Sequence, residues 1–478
     1  MPLMSAQAYR ESLRDGRAVY VAGERVEDIT RHPILQITVD HSAQVYSLAE
    51  DPALRDVMTV EADGGRISRY FVIPRGSDDL LARQALIEEH TRRELSVLNI
   101  VKAIGTDALF ALHAVAHRMD QELGATYGQR VQAFYRHCRD RDLTMAVAQT
   151  DVKGDRSRLP HEQDDPDLYV RIVERRQDGI VVRGAKAHTT AGPVVHELIV
   201  IPTRALGPED RDYAVAFAVP VATPGVKLIC RTTGSTQQSA FDYPISRRHI
   251  ETESLTVFDD VFVPWDRVFL DGEWQFAGPL ALTFANFHRF TAISYKPPTG
   301  DLFIGAAQLI AEWNGVERAA HIREKIARLI GYTEMIRACT RAAALDPELL
   351  PPGIALPSPT MTNIGKHHFA SQFHEAVRLL QDIAGGLVIT APSEADLRNP
   401  ETGPYVEKFL RTRKDVDAAA RLKLFHLIRD LTASEFGGYN LVVSLHGEGS
   451  LEAQLITTYR QYDLERCKRL VRQALGLD

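Results

Sequence analysis

One short run of the sequence concentrates positive charge and glycine. Residues 150–156 read TDVKGDR, in which Lys153, Gly154, Asp155 and Arg156 follow one another directly. Backbone N–H groups and cationic side chains gathered in this way suit a phosphate group or an electron-rich ring. A solvated turn would use the same residues, so the run alone leaves ligand binding and a plain turn as alternatives.

Two further runs of small and hydroxyl residues could contact a ligand. Residues 184–192 read GAKAHTTAG and include Thr190, which could hydrogen-bond the edge of a ligand or lie at the end of a hairpin. Residues 446–450 read HGEGS and follow a predicted helix end. Because glycine permits close backbone approach, this run either brings N–H groups to a phosphate or only caps a turn.

The candidate acid–base side chains are few. His288 lies in the run FHR at 287–289, near the start of a helical region. A neutral His can both donate and accept a hydrogen bond near pH 7, although a lone His is more often structural than catalytic. Glu251 and Glu253 alternate, so a strand would place both on one face, either at the surface or in a site.

Several common enzyme signatures are absent from the sequence. It has no GxGxxG after a strand, no GxxxxGK[ST] loop, no HExxH and no GxSxG. A nicotinamide enzyme with its own Rossmann site is therefore disfavoured. The four cysteines lie about a hundred residues apart and form neither a CxxC pair nor a compact metal set. They predict unpaired thiols in a reducing compartment.

Composition narrows the class of protein further. The chain has 478 residues, of which 45% are hydrophobic and 25% charged, close to the globular average. Its net charge of -7 argues against a nucleic-acid partner, which usually selects a basic surplus. The first residues contain no apolar signal region, and no run of 18 apolar residues occurs. We therefore expect a cytoplasmic protein without a membrane span.

The hydrophobic pattern divides the chain into three predicted domains. Residues 1–143 follow a helical period, most clearly from Asp78 to about Leu123, with Ser77 as the expected N-cap and a second helix expected at 108–122. Residues 144–275 contain short runs rich in Val and Ile, bounded by turn residues. These predicted strands are 168–173, 180–182, 198–201, 214–221, 226–230 and 255–263. Asp178-Gly179 is a good hairpin turn between the first two, and the pattern suggests a barrel or a sandwich.

Residues 276–478 form the third predicted domain, in which long helical segments return. The segments are 306–314, 319–345, 362–383 and 418–435. Gly385-Gly386 and Gly437-Gly438 follow two of them and resemble C-terminal stops. Four long helices joined by loops favour an antiparallel bundle.

These runs together resemble one known family, which unites the 4-hydroxyphenylacetate 3-hydroxylases with the 4-hydroxybutyryl-CoA dehydratases. The matching motifs occur in order over nearly the whole chain: 23–28 (GERVED), 150–156, 165–168 (DPDL), 178–188 (DGIVVRGAKAH), 384–387 (AGGL), 392–396 (PSEAD) and 434–438 (SEFGG). The resemblance implies an acyl-CoA dehydrogenase-like fold, mainly α with a β domain. That fold has a helical N-terminal domain, a central β-barrel and a C-terminal four-helix bundle. The resemblance also implies FAD and a homotetramer.

The dehydratase branch of the family holds a [4Fe-4S] cluster on three Cys and one His. The His position corresponds to His288, and the Cys positions correspond to Asn99, Ala103 and Tyr295. Asn and Ala cannot supply the thiolates that usually hold such a cluster, so we expect no metal. Glu253 matches an active-site Glu of the dehydratases, so part of that pocket is retained.

The hydroxylase branch receives reduced FAD from a separate reductase, and the missing Rossmann motif fits that arrangement. The runs 241–246 (FDYPIS) and 263–265 (VPW) are closer to this branch. The Arg, Tyr and His with which the hydroxylases contact the phenol correspond to Ile104, Ala108 and Val147. Each lost hydrogen bond is worth about 1–3 kcal/mol, so a larger or more apolar substrate than 4-hydroxyphenylacetate is expected.

The leading hypothesis is therefore a reduced-FAD-dependent monooxygenase that uses a flavin C4a-hydroperoxide to hydroxylate an aromatic or related small substrate. His288 would act as acid–base or hydrogen-bonding group, with Tyr295 and Glu253 as weaker candidates. The residues expected to contact FAD are Lys153, Gly154, Asp155, Arg156, Thr190, Gly447, Glu448, Gly449 and Ser450. Two alternatives remain: a cluster-free FAD-containing acyl-CoA isomerase or dehydratase-like enzyme that uses His288 and Glu253, and a flavin-binding relative without turnover.

Overall fold

The N-terminal part of the protein is mainly helical. The computed structural model describes residues 3–62, 64–95, 97, 99–232 and 239–477. The first six helices are α1 (Ala6–Ser12), α2 (Leu35–Glu50), α3 (Arg55–Met58), α4 (Ser77–Arg93), α5 (Ala103–Leu123) and α6 (Tyr127–Asp140). The predicted helical stretch from Asp78 to Leu123 is two helices, α4 and α5. Ser77 is the first residue of α4 and not its N-cap, because its hydroxyl donates to the Leu345 carbonyl instead.

Strands occur in all three parts of the chain. They are β1 (Ala18–Val21), β2 (Glu24–Val26), β3 (Thr59–Ala62), β4 (Gly65–Ser68), β5 (Met145–Ala148), β6 (Arg171–Arg175), β7 (Gly179–Thr190), β8 (Glu197–Val200), β9 (Val215–Pro220), β10 (Val226–Thr232), β11 (Thr252–Pro264), β12 (Val268–Asp271), β13 (Glu348–Leu350) and β14 (Ile354–Leu356). The hairpin predicted at Asp178-Gly179 is confirmed, since β6 and β7 pair in antiparallel fashion across it.

The central strands form two sheets and not one hydrogen-bonded barrel in the described part of the chain. A six-stranded sheet runs β2-β1-β10-β11-β7-β6, and a four-stranded sheet runs β12-β9-β8-β5. Phe217 of β9 meets Phe258 of β11 edge to face, with ring centroids 5.5 Å apart. The N-terminal part supplies the edge of the larger sheet, because β1 pairs in parallel with β10. The domain boundaries expected at residues 143 and 275 remain predictions.

The C-terminal part is helical, as the sequence predicts. Its helices are α7 (Ala277–Trp313), α8 (Ala320–Leu345), α9 (Pro359–Ala384), α10 (Leu387–Thr390), α11 (Glu394–Arg398), α12 (Gly403–Leu410), α13 (Ala418–Thr432), α14 (Glu435–His446), α15 (Leu451–Gln461) and α16 (Leu464–Leu475). Helix α7 has 37 residues and is far longer than the predicted segment 306–314. Gly385 ends α9 with a φ of 81°, so that predicted stop is confirmed.

The predicted stop at Gly437-Gly438 is wrong. Ser434 caps a new helix, α14, by accepting a hydrogen bond from the Gly437 N–H. A Cβ on Gly437 would lie 2.7 Å from the Thr432 carbonyl carbon, so this glycine allows α14 to start directly against the end of α13. Close packing, and not helix termination, is the reason for glycine here.

Helix α7 connects the two hydrophobic cores of the protein. Phe287 packs in a core that joins the N-terminal helices to the β sheets, and Phe290 and Ile293 pack in the core of the C-terminal bundle. His288 therefore lies where the three parts meet. Among the helices of the described residues, none is long and apolar enough to cross a membrane.

Candidate functional site

His288 is held by a buried carboxylate from another helix. Helix α5 packs against α7 and places Asp107 Oδ2 3.3 Å from His288 Nδ1. The Asp107 side chain is fully buried, whereas His288 keeps 12% of its side-chain surface exposed. The imidazole stacks on Phe284, with centroids 5.3 Å apart and planes within 13°. The ring is thus fixed in position but still reachable from one side.

Glu448 lies against the same helix as His288. The loop between α14 and α15 brings its Oε1 within 2.7 Å of the Tyr295 hydroxyl, which donates to it. Lys366 Nζ lies 3.3 Å from Oε2. Burial opposes ionisation of this acid, but the Lys366 and Lys296 ammonium groups outweigh burial and lower the pKa of Glu448 to about 2. The acid is therefore an anion in the interior at neutral pH.

The loop that carries Glu448 needs its glycine. Glu448 has a φ of 56° and Gly449 a φ of 102°. A Cβ on Gly449 would lie 2.7 Å from Arg289 Nη2. Arg289 in turn donates from Nε to the Glu448 carbonyl at 2.8 Å. The run HGEGS therefore places a carboxylate over α7, which its composition alone did not reveal.

Lys296 is the second cation near Glu448, after Lys366. We call Glu448, Tyr295, Lys366 and Lys296 the acid–base cluster. The Lys296 ammonium lies 4.4 Å from the ring centre of Tyr295 and 4.5 Å from that of Phe369, as in cation–π contacts. Burial is the main cause that lowers the pKa of Lys296 to about 8. An amine with this pKa can hold or release a proton near neutral pH.

Two acids, Glu251 just before β11 and Glu253 within it, face the acid–base cluster from the β sheet. Glu253 accepts hydrogen bonds from the Thr190 hydroxyl at 2.9 Å and from the Tyr439 hydroxyl at 2.7 Å. Burial raises the pKa of Glu253 above its usual range. Burial and the nearby Glu253 raise the pKa of Glu251 to about 8, and one oxygen of Glu251 accepts from the Ile100 N–H at 3.3 Å. Both acids are thus half-buried and bonded to neighbouring residues, and neither is on a fully exposed strand face.

The loop predicted to bind FAD has the backbone of an anion or ring site. Lys153 and Gly154 are consecutive left-handed residues, with φ of 84° and 54°, and both are exposed together with Asp155 and Arg156. A Cβ on Gly154 would collide with Gln163 Oε1, so only glycine lets the loop pack this closely. The two exposed cationic side chains on this glycine-containing turn fit a flavin nucleotide.

The second and third predicted ligand segments differ from expectation. Residues 184–190 are not a loop but the end of β7, and the Thr190 hydroxyl is bonded to Glu253. Ser450 caps α15 by accepting from the Ala453 N–H, and Gly447 follows the end of α14. The Ser450 hydroxyl therefore caps a helix, and contact of this loop with FAD stays a prediction. The Glu448 carboxylate faces Tyr295 and Lys366, so we place it with the acid–base cluster.

The three positions that the resemblance matches to phenol contacts are buried. Ile104 and Ala108 flank Asp107 on α5, and Val147 lies on β5, which packs beneath α5. Their side chains are exposed by 7%, 1% and 5%. Two of these apolar side chains thus lie on the helix that carries Asp107, and the third lies on the strand packed against that helix.

The residues that the resemblance matches to cluster ligands do not fit an iron–sulfur cluster. Asn99 donates to Ser42 Oγ at 2.7 Å and accepts from the Val101 N–H at 3.1 Å, and Tyr295 is bonded to Glu448. Ala103 has no ligand atom in its side chain. In the described ranges, no group of three or more His, Cys, Asp and Glu could hold a metal ion.

Sequence reasoning missed several members of the site: Asp107, Lys296, Lys366, Tyr439 and the partner role of Glu448. Lys366 had a detectable signal, because the 3.6-residue period places it on the apolar face of α9 beside Phe369 and Ala370. A lysine on such a face needs a buried anion. Tyr439 had no comparable signal, since its partner Glu253 lies 186 positions away.

The protein has a helical N-terminal part, a middle part of two sheets and a helical C-terminal part, arranged around these acids and bases. This combination of fold and site is that of an enzyme of one known family. The chain belongs to the 4-hydroxyphenylacetate 3-hydroxylase family: the model of its N-terminal region matches residues 5–270, and that of its C-terminal region matches residues 277–476. This confirms the family identified from the motifs.

Three relatives show the range of the family. The 4-hydroxybutyryl-CoA dehydratase/vinylacetyl-CoA-Delta-isomerase of Clostridium aminobutyricum is 34% identical, over 99% of this chain and 100% of its own. The 4-hydroxyphenylacetate 3-monooxygenase oxygenase component of Thermus thermophilus is 32% identical, over 96% and 94%. A solved oxygenase component complexed with FAD and 4-hydroxyphenylacetate superposes with a TM-score of 0.92 at 31% identity, over 99% and 98%.

Proposed function

We propose that this protein is the oxygenase component of a two-component flavin-dependent monooxygenase, which hydroxylates an aromatic or related small organic substrate. One observation carries the proposal: the cluster-ligand positions hold Asn99, Ala103 and Tyr295, and the two polar ones are bonded to protein neighbours. The chain thus keeps the family fold but lacks the ligands of the iron–sulfur branch. The flavin branch of the relatives is the one that needs no such ligands.

FAD in its reduced form, delivered by a separate reductase, supplies the activation of O2 when bound. Lys153, Gly154 and Arg156 would hold it from the exposed loop, with Asp155 shaping the turn through its bond to Ser157. Thr190 would contact it from the end of β7, and Gly447, Gly449 and Ser450 from the loop before α15. Each of these contacts between a residue and FAD is part of the proposal.

The remaining side chains would orient the substrate. His288 keeps part of its ring exposed, and the apolar side chains of Ile104, Ala108 and Val147 would form the wall of the substrate pocket beside it. A substrate hydroxyl would donate to the imidazole while its apolar body packs on that wall. Tyr295 and Glu253 would complete the polar side. Since the wall carries no cation, a substrate less polar than 4-hydroxyphenylacetate is favoured.

Isotope labelling tests this function directly. The protein, FAD, NADH and a flavin reductase would be incubated under ¹⁸O2 with a panel of phenols that carry apolar substituents. We expect one ¹⁸O atom in the product, and no product when either the reductase or this protein is left out. Oxygen uptake that yields only hydrogen peroxide with every phenol would count against the proposal.

A second candidate is a cluster-free FAD-containing acyl-CoA isomerase or dehydratase-like enzyme. The observation that favours it is the density of acid–base groups at α7, where Glu448 contacts both Tyr295 and Lys366, and Lys296 lies over the Tyr295 ring. His288 and Glu253 would move a proton beside a thioester. Anaerobic incubation of the FAD-loaded protein with a β,γ-unsaturated acyl-CoA in D2O separates the candidates, because only this one predicts deuterium in the acyl chain.

We also propose a homotetramer that works in the cytoplasm with its reductase as the protein partner. The tetramer rests on the family resemblance alone. Sedimentation velocity of the purified protein tests it, since a tetramer of the 53.3 kDa chain would sediment near four times that mass. A monomer at micromolar concentration would contradict it.

A further inference from the structure

Asp107 is enclosed by hydrogen-bond donors on one of its two oxygens. Arg83 Nη2 lies 2.6 Å from Oδ1, and the Thr291 hydroxyl donates to the same oxygen at 3.0 Å. The only contact of Oδ2 with a side chain in the described residues is His288 Nδ1, at 3.3 Å. The carboxylate therefore divides its oxygens between an ion pair and the imidazole.

Arg83 cannot move to release this carboxylate. Its Nη2 also donates to the Ala103 carbonyl at 3.1 Å and to the Thr106 hydroxyl at 3.0 Å, and its Nη1 donates to the Tyr70 carbonyl at 3.3 Å. The guanidinium lies 5.2 Å from the ring centre of Phe110. Since the pair is almost fully buried, water does not compete for the carboxylate.

An ionised carboxylate only accepts hydrogen bonds. With Asp107 in an ion pair to Arg83, its Oδ2 must accept from His288, so the imidazole carries its proton on Nδ1. The other ring nitrogen, Nε2, is then unprotonated in the neutral ring and able to accept a proton. Phe284 stacks on one face of the ring and holds its plane, while the contact with Oδ2 fixes which edge of the imidazole faces Asp107.

We propose that Asp107 is a positioning residue, which fixes the Nδ1–H tautomer of His288 and stabilises the imidazolium formed when Nε2 accepts a proton from the substrate. The inference rests on the proposed function, because it needs His288 to contact the substrate. Two charged groups of the described residues act on His288: Asp107 from α5, with Arg83 of α4 behind it, and Glu448 from the loop before α15. Arg289, the next residue of α7, is directed to the Glu448 carbonyl. Glu448 adds a second negative charge, but Asp107 is the one in contact.

The test uses Asp107→Asn and follows His288 without relying on turnover. In protein labelled with ¹³C-histidine, the His288 signal is the one that His288→Gln removes. We expect Asp107→Asn to move the titration of that signal to lower pH by about one unit or more, because a neutral amide no longer favours the imidazolium. An unchanged titration would overturn the inference even if the protein proves to be a monooxygenase.

Turnover provides the second readout. With the phenol that wild type hydroxylates, Asp107→Asn should lower kcat by about 10²–10⁴-fold, change KM little and shift the acid limb of the pH profile to lower pH. A kcat within threefold of wild type would contradict the role of Asp107. If wild type hydroxylates nothing, the proposed function fails while the titration of His288 still decides the contact.

Asp142→Asn is the matched control. Asp142 pairs with the buried Lys102 at 2.5 Å, so this change also leaves a buried cation without its anion. It should reduce stability as Asp107→Asn does, yet leave the His288 titration unchanged. If Asp107→Asn alone does not fold, the double variant Arg83→Gln/Asp107→Asn removes both charges together and should show the same shift of the His288 titration.

Discussion

The hydroxyl of Tyr295 donates a 2.7 Å hydrogen bond to Oε1 of Glu448, although the two residues lie 153 positions apart in the chain. The contact joins the middle of α7 to the loop that follows α14. Lys366 of α9 pairs with the same carboxylate, so α7, α9 and the loop after α14 meet at one buried anion. Residues of the C-terminal bundle therefore form part of the candidate site themselves.

Tyr295→Phe should lower kcat with little change in folding. The variant keeps the ring over which Lys296 lies but removes the donor to Glu448, a hydrogen bond to a charged group worth about 1.5–3 kcal/mol. If that bond holds Glu448 in place during turnover, kcat should fall by at least about tenfold. Tyr332→Phe removes a hydroxyl that donates to the Phe369 carbonyl and is the control. Equal rates for the two variants would mean that Glu448 is structural.

His288→Ala should reduce turnover by about 10²-fold or more if the imidazole acts as acid–base. The fold should remain, since the ring is partly exposed and packs mainly on Phe284. The measurement is kcat together with far-UV circular dichroism of both proteins. Unchanged rates would identify His288 as a structural residue that satisfies Asp107.

Glu251→Gln should flatten the pH dependence of stability. Burial and Glu253 raise the pKa of Glu251 to about 8, whereas an unfolded Glu titrates near 4.5. Between these values the native state holds a proton that the unfolded state has released, so the free energy of unfolding falls as pH rises from 4.5 to 8. The slope is at most about 1.4 kcal/mol per pH unit for one group.

Urea unfolding at several pH values measures this slope. The amide that Glu251→Gln introduces cannot ionise, so the variant should lose the decline between pH 5 and 8 and be more stable than wild type at pH 8. Glu50→Gln changes an exposed acid at the end of α2 and should leave the slope unchanged. A Glu251→Gln curve parallel to wild type would show that Glu251 is already ionised in the folded protein.

Much of the fold follows from local patterns in the sequence. The 3.6-residue period predicts α8 and α9 to within one or a few residues, and the DG turn predicts the β6–β7 hairpin. The strand at Ala18–Val21 was missed, because it is short and is stabilised by pairing with β10, more than 200 residues away. The helix stop predicted at Gly437-Gly438 was wrong, because glycine serves both to end helices and to allow close packing.

The site was predictable only in part. His288, Tyr295 and Glu253 were proposed from the resemblance, and the structure brings all three to one region around α7. Asp107 could not be recognised from sequence, since an Asp inside an apolar helix has meaning only once Arg83 and His288 are placed beside it. Long-range contacts of this kind depend on how α4, α5 and α7 cross, which no local pattern encodes.

Glu94→Gln should destabilise the protein strongly. The buried Glu94 lies 3.3 Å from His41 Nε2 and 3.0 Å from His90 Nε2. Burial opposes its ionisation, but these two imidazoles outweigh burial and lower the pKa of Glu94 to about 2. Removing one partner of a buried ion pair costs about 3–5 kcal/mol, which urea unfolding at pH 7 would detect.

The control for Glu94→Gln is Glu89→Gln on the helix that precedes Glu94. Glu89 pairs with Arg93 near the surface, so its loss should cost no more than about 0.5 kcal/mol. A difference below about 1 kcal/mol between the two variants would mean that the contacts of Glu94 add no more to the free energy of unfolding than a surface ion pair does.

The most direct test of the monooxygenase assignment is a stopped-flow experiment. The purified protein, loaded with anaerobically reduced FAD, is mixed with oxygenated buffer, and flavin absorbance is followed with and without substrate. The account predicts a transient distinct from oxidised flavin, slow to decay without substrate and faster to decay with it. Immediate reoxidation without a transient, together with tight retention of oxidised FAD, would contradict the account and favour the acyl-thioester enzyme.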